Sequence, residues 1–457
     1  MNSASTGKVK KVLVIAYGFP PIAYVGVYRT IRFCKYLPGE GWLPEVITIE
    51  EDDQIFSDPN LLKRVSPDIR IHRTTMIDVW RRIQYRRIRE ADAKKGDAQQ
   101  EPPQKKKGLE AIPGKVRSAF LSVILNAFSI PDHMLLWVPF ATLKGISLMR
   151  KDPFDVIYTT TPPHSEHLTG LILSAIFKKP WIADCRDPIS DNFSLKDVSR
   201  IHYISNKYLE KIIVRYADKV IIASDYYCQR LKERYPAHSH KITAILNGFD
   251  PELFEKVDAA GFDKFTILYT GSMYGTIRPD FFLKGLKKWV ESRDGAVRRE
   301  TQFLIHGWMN DRAEALSKEL GIEDIVKING YIPQEEIIRK QKGADLLLLV
   351  IGSDERSKGV ITAKFFEYLA TGRTIIAVVP EGEALDILRK HQKYHHVPED
   401  DYDSLLNALD TAYAEYCTGK QVPGVKRDSN HLHESAFNAR NQVVDLVNIF
   451  NETLQPN

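Results

Sequence analysis

The chain has 457 residues, 43% of them apolar and 27% charged, enough for two or three domains with ordinary cores. Its formal net charge is +5, from 64 Lys+Arg against 59 Asp+Glu, and no run approaches the roughly 18 consecutive apolar residues of a membrane-spanning helix. These values exclude secreted, fibrous, disordered and polytopic classes. Residues 1–7 lack the apolar core of a signal peptide. Cys34, Cys185, Cys228 and Cys417 lie far apart, with no Cys-x-x-Cys or Cys/His cluster, which argues against a zinc site or a disulfide framework and fits a reducing cytoplasm.

Short apolar runs read as buried parallel strands, and helix-length stretches separate them. The first run, 12–16, leads into a Pro/Gly-containing turn that carries Gly26 and Arg29 into a helix, so Gly26 and neighbouring amides form an anion site or a structural turn. A strand at 46–48 follows. Residues 81–118 then hold twelve basic and five acidic residues, a local charge of +7, and the polar run 96–107 with Pro102 and Pro103 reads as a mobile loop. Behind it stands an apolar stretch in which Ser118, Ser122 and Asn126 recur every fourth position, a helix with one narrow polar stripe. Residues 81–130 are thus either a core helix behind a solvated loop or a contact with an anionic membrane surface. Nucleic acid is not expected as a partner, because Tyr85 is the only aromatic of the basic segment and no stacking platform exists.

Further strands are predicted at 156–160, 181–184, 220–224 and 242–246, and a second series at 265–269, 301–306, 326–329, 345–351 and 374–379. Helical stretches between them include 311–320, 335–342 and 364–369. The fold class is therefore α/β, with two Rossmann-like domains whose ligand loops sit at the C-terminal ends of the strands. The division falls at residues 1–255 and 256–434, and the run 435–457 is a helix with Phe437, Val443, Val447, Phe450 and Leu454 on one docking face.

The strand ends supply the candidate residues. His164 follows 156–160, and Arg186 and Asp187 follow 181–184, either as a structural ion pair or as reactive groups. Gly271 and Ser272 open a turn that ends at Arg278, which can neutralise a pyrophosphate. Lys364 and Glu367 stand three apart on one helical face, as a surface ion pair or as a clamp for a phosphate and a ribose diol.

Residues 359–373, with the strand Thr374-Ile-Ile-Ala-Val-Val behind them, resemble the signature of glycosyltransferase family 4. The opening Gly18-Phe-Pro-Pro through Gly26 and Arg29 is similar to that family's acceptor-side loop. Phe154-Asp-Val-Ile-Tyr-Thr-Thr-Thr-Pro-Pro and Pro180-Trp-Ile-Ala-Asp-Cys-Arg-Asp-Pro resemble its bacterial surface-polysaccharide members. The resemblance implies a GT-B architecture: two domains facing a cleft, with the last helix crossing back to the first. It implies a retaining hexosyltransferase that uses a nucleotide-diphosphate sugar and neither cofactor nor metal. Carried over, Glu367 holds the donor ribose, Arg278 and Lys364 its pyrophosphate, and the amides of Gly359, Val360, Ile361 and Thr362 assist. Tyr331 and Ile332 flank the base, and Gly26 faces the donor phosphate or the acceptor. His164, Arg186 and Asp187 orient and deprotonate the acceptor hydroxyl, with Asp187 as the base. Two departures stand out: Gly359 replaces a second family Glu that contacts the sugar, and Ser272 replaces a basic residue. The expected acceptor is a glycan or lipid-linked hydroxyl at the cytoplasmic face of the cell membrane. An epimerase or hydrolase of the same fold, or a non-enzymatic scaffold derived from a transferase, would carry the same residues.

Overall fold

The computed structural model describes residues 9–23, 25–50, 57–76, 130–190, 200–273, 277–308, 310–352, 354–391, 393–419 and 435–455. The basic segment 81–118 and the apolar stretch after it lie outside these residues. The first sheet contains β1 (Lys10–Ile15), β2 (Trp42–Ile49), β3 (Arg70–Thr74), β4 (Val156–Thr160), β5 (Trp181–Arg186), β6 (Lys219–Ile222) and β7 (Ile242–Ala244), in spatial order β3-β2-β1-β4-β5-β6-β7. The second contains β8 (Phe265–Thr270), β9 (Thr301–His306), β10 (Val326–Asn329), β11 (Leu346–Val350), β12 (Thr374–Val378) and β13 (Tyr394–His396), in order β10-β9-β8-β11-β12-β13. Every pairing in both sheets is parallel.

Both sheets reverse their strand order once, at β1/β4 and at β8/β11. At such a switch point the chain leaves in opposite directions and opens a crevice beyond the strand ends. All eleven predicted strands are present, with ends moved by up to four residues. Two edge strands, β3 and β13, were missed. Their sequences, RIHRT and YHH, carry no apolar run, and they are strands because backbone pairing to β2 and β12 makes them so.

Helices cover both faces of each sheet, and the core splits accordingly. Trp181, Ile157, Ile213 and Leu209 lie on one face of the first sheet, and Val12, Val14, Phe33 and Trp42 on the other. That second face is completed by the last helix, Ala439–Leu454, whose Val443, Leu446, Val447 and Phe450 pack into it. Phe450 meets Trp42 edge-on at 4.9 Å, and Lys10 Nζ donates to Asn451 at 2.6 Å. The C-terminal helix therefore does cross back to the first domain. Leu454 departs from the expected face: it is 37% exposed, because the helix outruns the surface it docks on. No helix among the described residues is long and apolar enough to cross a membrane.

Candidate functional site

At the β8/β11 switch point, β8 ends in Gly271 at φ +114, a conformation that favours glycine. Gly307, after β9, has φ +149, and a Cβ there would stand 2.3 Å from Gly271 O. The pair lets the ends of β8 and β9 touch through backbone, with Gly271 N donating to His306 O at 2.7 Å. Lys364 enters the gap from the helix Ala363–Thr371: its Nζ lies 3.6 Å from the centroid of the Tyr269 ring and 3.1 Å from the point where a Gly271 Cβ would be. Burial pushes this ammonium down to about 7, against the pull of the Glu367 carboxylate. Glu367 sits on the same helix face but makes no ion pair with Lys364. Its two oxygens accept from Gln334 Nε2 at 2.6 Å and Gln341 Nε2 at 3.0 Å. A carboxylate held by two neutral amides can exchange those donors for hydroxyls.

Arg278 is exposed and lines a cleft over the ends of β11 and β12, with Phe281, Val350, Ile351, Gly352 and Glu399. Ser272 accepts from the Tyr269 hydroxyl through its carbonyl at 3.0 Å. Tyr331 stacks on Trp308, with ring centroids 5.8 Å apart and planes at 19°, a platform for a flat base; Ile332 is half-buried beside it. Trp308 and the two glutamines were missed in the sequence. Trp308 could have been found, because it stands two residues beyond a predicted strand end. The glutamines, both in the helix Gln334–Gly343, give no local signal.

The domains meet across this site. Tyr331 OH donates to Asp58 at 3.0 Å, and Arg64 donates to Gln334, so the first domain reaches the residue that holds Glu367. Glu383 of the second domain accepts from the backbone amides of Asp225 at 2.8 Å and Tyr226 at 3.1 Å and from the Ser224 hydroxyl, capping the helix Asp225–Arg234 from outside its own domain. Tyr227 OH donates to Arg356 O.

These contacts correct part of the carry-over. Gly359 does not face an open crevice: a Cβ there would lie 2.6 Å from Tyr226 and 2.9 Å from Tyr227. Val360 packs against the cores of both domains, and its amide is spent on Ser357 O. Gly359 and Val360 are therefore interface residues. Ile361 is a core side chain, while the Thr362 hydroxyl is buried without a partner at the start of the Lys364 helix. Gly359→Ala is accordingly expected to cost about 1–3 kcal/mol by overpacking. An unchanged denaturation midpoint would mean that the two tyrosines swing aside freely.

On the first domain, the ends of β4 and β5 bring His164, Arg186 and Asp187 together. Arg186 lies at a bulge in β5, in the left-handed region at φ +47, a strained backbone of the kind concentrated at functional sites. It is buried, and its Nε and Nη1 have no partner. His164 Nδ1 is likewise unpartnered; burial lowers its pKa despite Asp132 and Asp187 nearby, so the imidazole is neutral at pH 7 and able to accept a proton. Glu166, also missed, is fully buried. Its Oε2 accepts from Tyr17 N at 2.8 Å, its Oε1 is unpartnered, and burial raises its pKa well above the carboxylate range.

Arg29 is a second correction. It is 1% exposed, and its donors are spent on Asp184 (2.7 Å), Leu246 O (2.7 Å) and Ile245 O (2.8 Å), so it is an internal strut and not a ligand contact. Gly26, in the first turn of the helix Val25–Tyr36 that follows β1, is buried. Arg32, three residues beyond Arg29, is the cation of this helix left with an unpartnered buried Nε, and burial beside Arg29 pushes it down to about 10. Among the described residues no three His, Cys, Asp or Glu side chains converge as a metal would need.

Two facing parallel sheets, tied by a returning C-terminal helix, define the GT-B fold of glycosyltransferases. A glycosyltransferase from Rickettsia africae ESF-5 superposes with a TM-score of 0.61 at 15% identity, covering 98% of this chain and 100% of that one. HepE of Anabaena, solved with UDP and glucose, gives 0.60 at 12%, covering 97% and 99%. Residues 113–253 match the model of Glycosyltransferase Family 4. WcaL of Escherichia coli (strain K12), named as a candidate colanic acid biosynthesis glycosyltransferase, is 27% identical over 150 residues, 32% of this chain; the chain spans about a third (36%) of that relative's length. The chain thus resembles glycosyltransferase family 4, and within it the bacterial surface-polysaccharide members.

Proposed function

We propose that the protein moves a hexosyl group from a nucleotide-diphosphate sugar to a hydroxyl of a glycan or lipid-linked acceptor, with retention and without a metal or other cofactor. The observation that carries this reading is the convergence of Lys364, the Gly271 turn and Glu367 at the switch point of the second sheet. Glu367 takes the ribose diol in place of its two glutamine amides. Lys364 and Arg278 take the pyrophosphate and stabilise the charge that develops on it as it leaves. Ser272 and the Ile361–Thr362 end of the Lys364 helix border the phosphates, and Tyr331, Ile332 and Trp308 flank the base. Residues 256–434 thereby act as the donor domain and 1–255 as the acceptor domain, held together by 435–457.

Gly26, His164, Arg186 and Asp187 face the acceptor from the other side of the cleft. Closure of the cleft aligns the acceptor oxygen with the anomeric carbon and excludes water. The bond from that carbon to the diphosphate oxygen breaks as the bond to the acceptor oxygen forms on the same face. The acceptor proton passes to the departing diphosphate or to Asp187, so no enzymic nucleophile is needed. The reaction is placed in the cytoplasm, at the inner face of the cell membrane.

Thermal melting with a panel of nucleoside diphosphates tests the donor site. One base is expected to stabilise the protein by about 2.7 kcal/mol at a hundredfold excess over Kd, and Glu367→Ala to abolish the shift. No shift with any of them, in protein that melts cooperatively, favours a non-enzymatic scaffold. Release of free sugar or conversion of the donor without acceptor favours a hydrolase or an epimerase.

A further inference from the structure

One face of the first sheet carries the helices His167–Phe177 and Arg200–Tyr216, packed side by side. Thirteen large apolar side chains are exposed among the described residues, and five of them, Ile201, Tyr203, Ile204, Tyr208 and Tyr216, stand on the single helix Arg200–Tyr216. That helix already buries Leu209, Ile213 and Val214 against the sheet. Ile201, Ile204 and Tyr208 follow one another at i, i+3 and i+7, so they form a second apolar stripe turned to solvent, with Ile201 65% and Tyr208 67% exposed.

The charge of this face is one-sided. Arg200, Lys207, Lys211 and Arg215 are exposed. The helix's one acid, Glu210, is buried, where it accepts from Ser190 and pairs with Arg234 at 2.8 Å. The neighbouring helix has no acidic residue and runs into Lys178 and Lys179.

We propose that this face docks on an anionic lipid bilayer, with the isoleucines and tyrosines in the interface and the four cations among the headgroups. Charge complementarity selects this occupant. A second copy would set the same acid-free cations against each other across a two-fold axis. Anionic headgroups neutralise them, at about 1 kcal/mol per cation near the surface, and amphipathic helices with an aromatic-aliphatic stripe between cations bind such interfaces. The topology gives the dock a purpose. A crossover helix begins at the C-terminal end of its preceding strand, so Ile201, Tyr203 and Ile204 lie on the same rim as Arg186 and Asp187. This deepens the proposed function by bringing the acceptor crevice to a lipid-linked acceptor, whereas lipid binding itself does not depend on transfer.

Co-sedimentation of the full-length protein with phosphatidylglycerol/phosphatidylethanolamine vesicles tests the dock. The wild type is expected to bind these and not pure phosphatidylcholine. Ile201→Glu/Ile204→Glu is expected to lower partitioning at least about tenfold, the scale of one aliphatic side chain kept in water. Tyr208→Ser, at a side chain with almost no packing to lose, gives a milder loss and covers the case in which the double variant misfolds. Lys207→Glu/Lys211→Glu removes the preference for anionic lipid. Undiminished vesicle binding by the isoleucine and tyrosine variants overturns the proposal and leaves 81–118 as the cationic anchor. A wild-type dimer that these variants split, without vesicle binding, overturns it in favour of a second copy. The nucleotide-induced melting shift is expected in every variant, so a failed dock and a failed donor site are read separately.

Discussion

Lys364→Ala is expected to lower sugar transfer about 10²–10³-fold, the usual loss when one group that stabilises developing negative charge is removed. The effect is large because the half-buried ammonium sits between the Tyr269 ring and the Gly271 turn, where a cation is worth more than at a fully wet surface. The same burial gives a pH signature. In the free protein Lys364 is pushed down to about 7, below its ordinary value. Between that pH and the ordinary lysine range near about 10.4, the unfolded chain holds a proton that the folded protein lacks, so ligand-free stability rises with pH. Below pH 7 both states are protonated, and the fold carries the full cost of the buried charge.

A pyrophosphate beside the ammonium reverses this, because an opposite charge favours the protonated form. Donor binding is therefore expected to take up a proton above pH 7, with affinity falling toward about tenfold per pH unit. Calorimetry in buffers of different ionisation heat measures the uptake directly. Lys364→Arg, charged at every working pH, should bind without it. Proton-neutral binding by the wild type at pH 8 would remove Lys364 from the phosphate site.

Arg29→Met is expected to cost about 3–5 kcal/mol of stability, the penalty for leaving one member of a buried ion pair alone. Both side chains are shut from water, at 1% for Arg29 and 0% for Asp184. Beyond the 2.7 Å bond to Asp184, the guanidinium satisfies two carbonyls in the segment that leaves β7, and Tyr158 OH donates to the same carboxylate. Its loss leaves the carboxylate without its cation and removes the guanidinium donor from Ile245 O, while Leu246 O keeps the Gln442 Nε2 donor at 3.0 Å. Arg29→Met/Asp184→Asn should cost less than the sum of the single changes, because removing both charges leaves neither unpaired. Denaturant midpoints of the three variants check this. A single-variant loss below about 1 kcal/mol, the size of a surface pair, would mean that water reaches the pair.

The sequence by itself determined the two α/β series, because a strand covered on both faces must be apolar along its length; β4 and β9 came out to the residue. It determined the helix face shared by Lys364 and Glu367, because i,i+3 spacing is a property of the helix alone.

The tertiary structure decided what depends on partners far along the chain. β3 and β13 are strands by pairing and not by composition. Arg29 read as a ligand contact because its anion, Asp184, lies 155 residues away. Gly359 read as a donor contact because Tyr226 and Tyr227, which fill the space beside it, belong to the other domain. Gln334 and Gln341 hold Glu367 only once their helix is folded against it. Local patterns record which face of an element is buried. Which residue meets a charge once it is buried is set by chain topology, and a single strand or helix carries no trace of it.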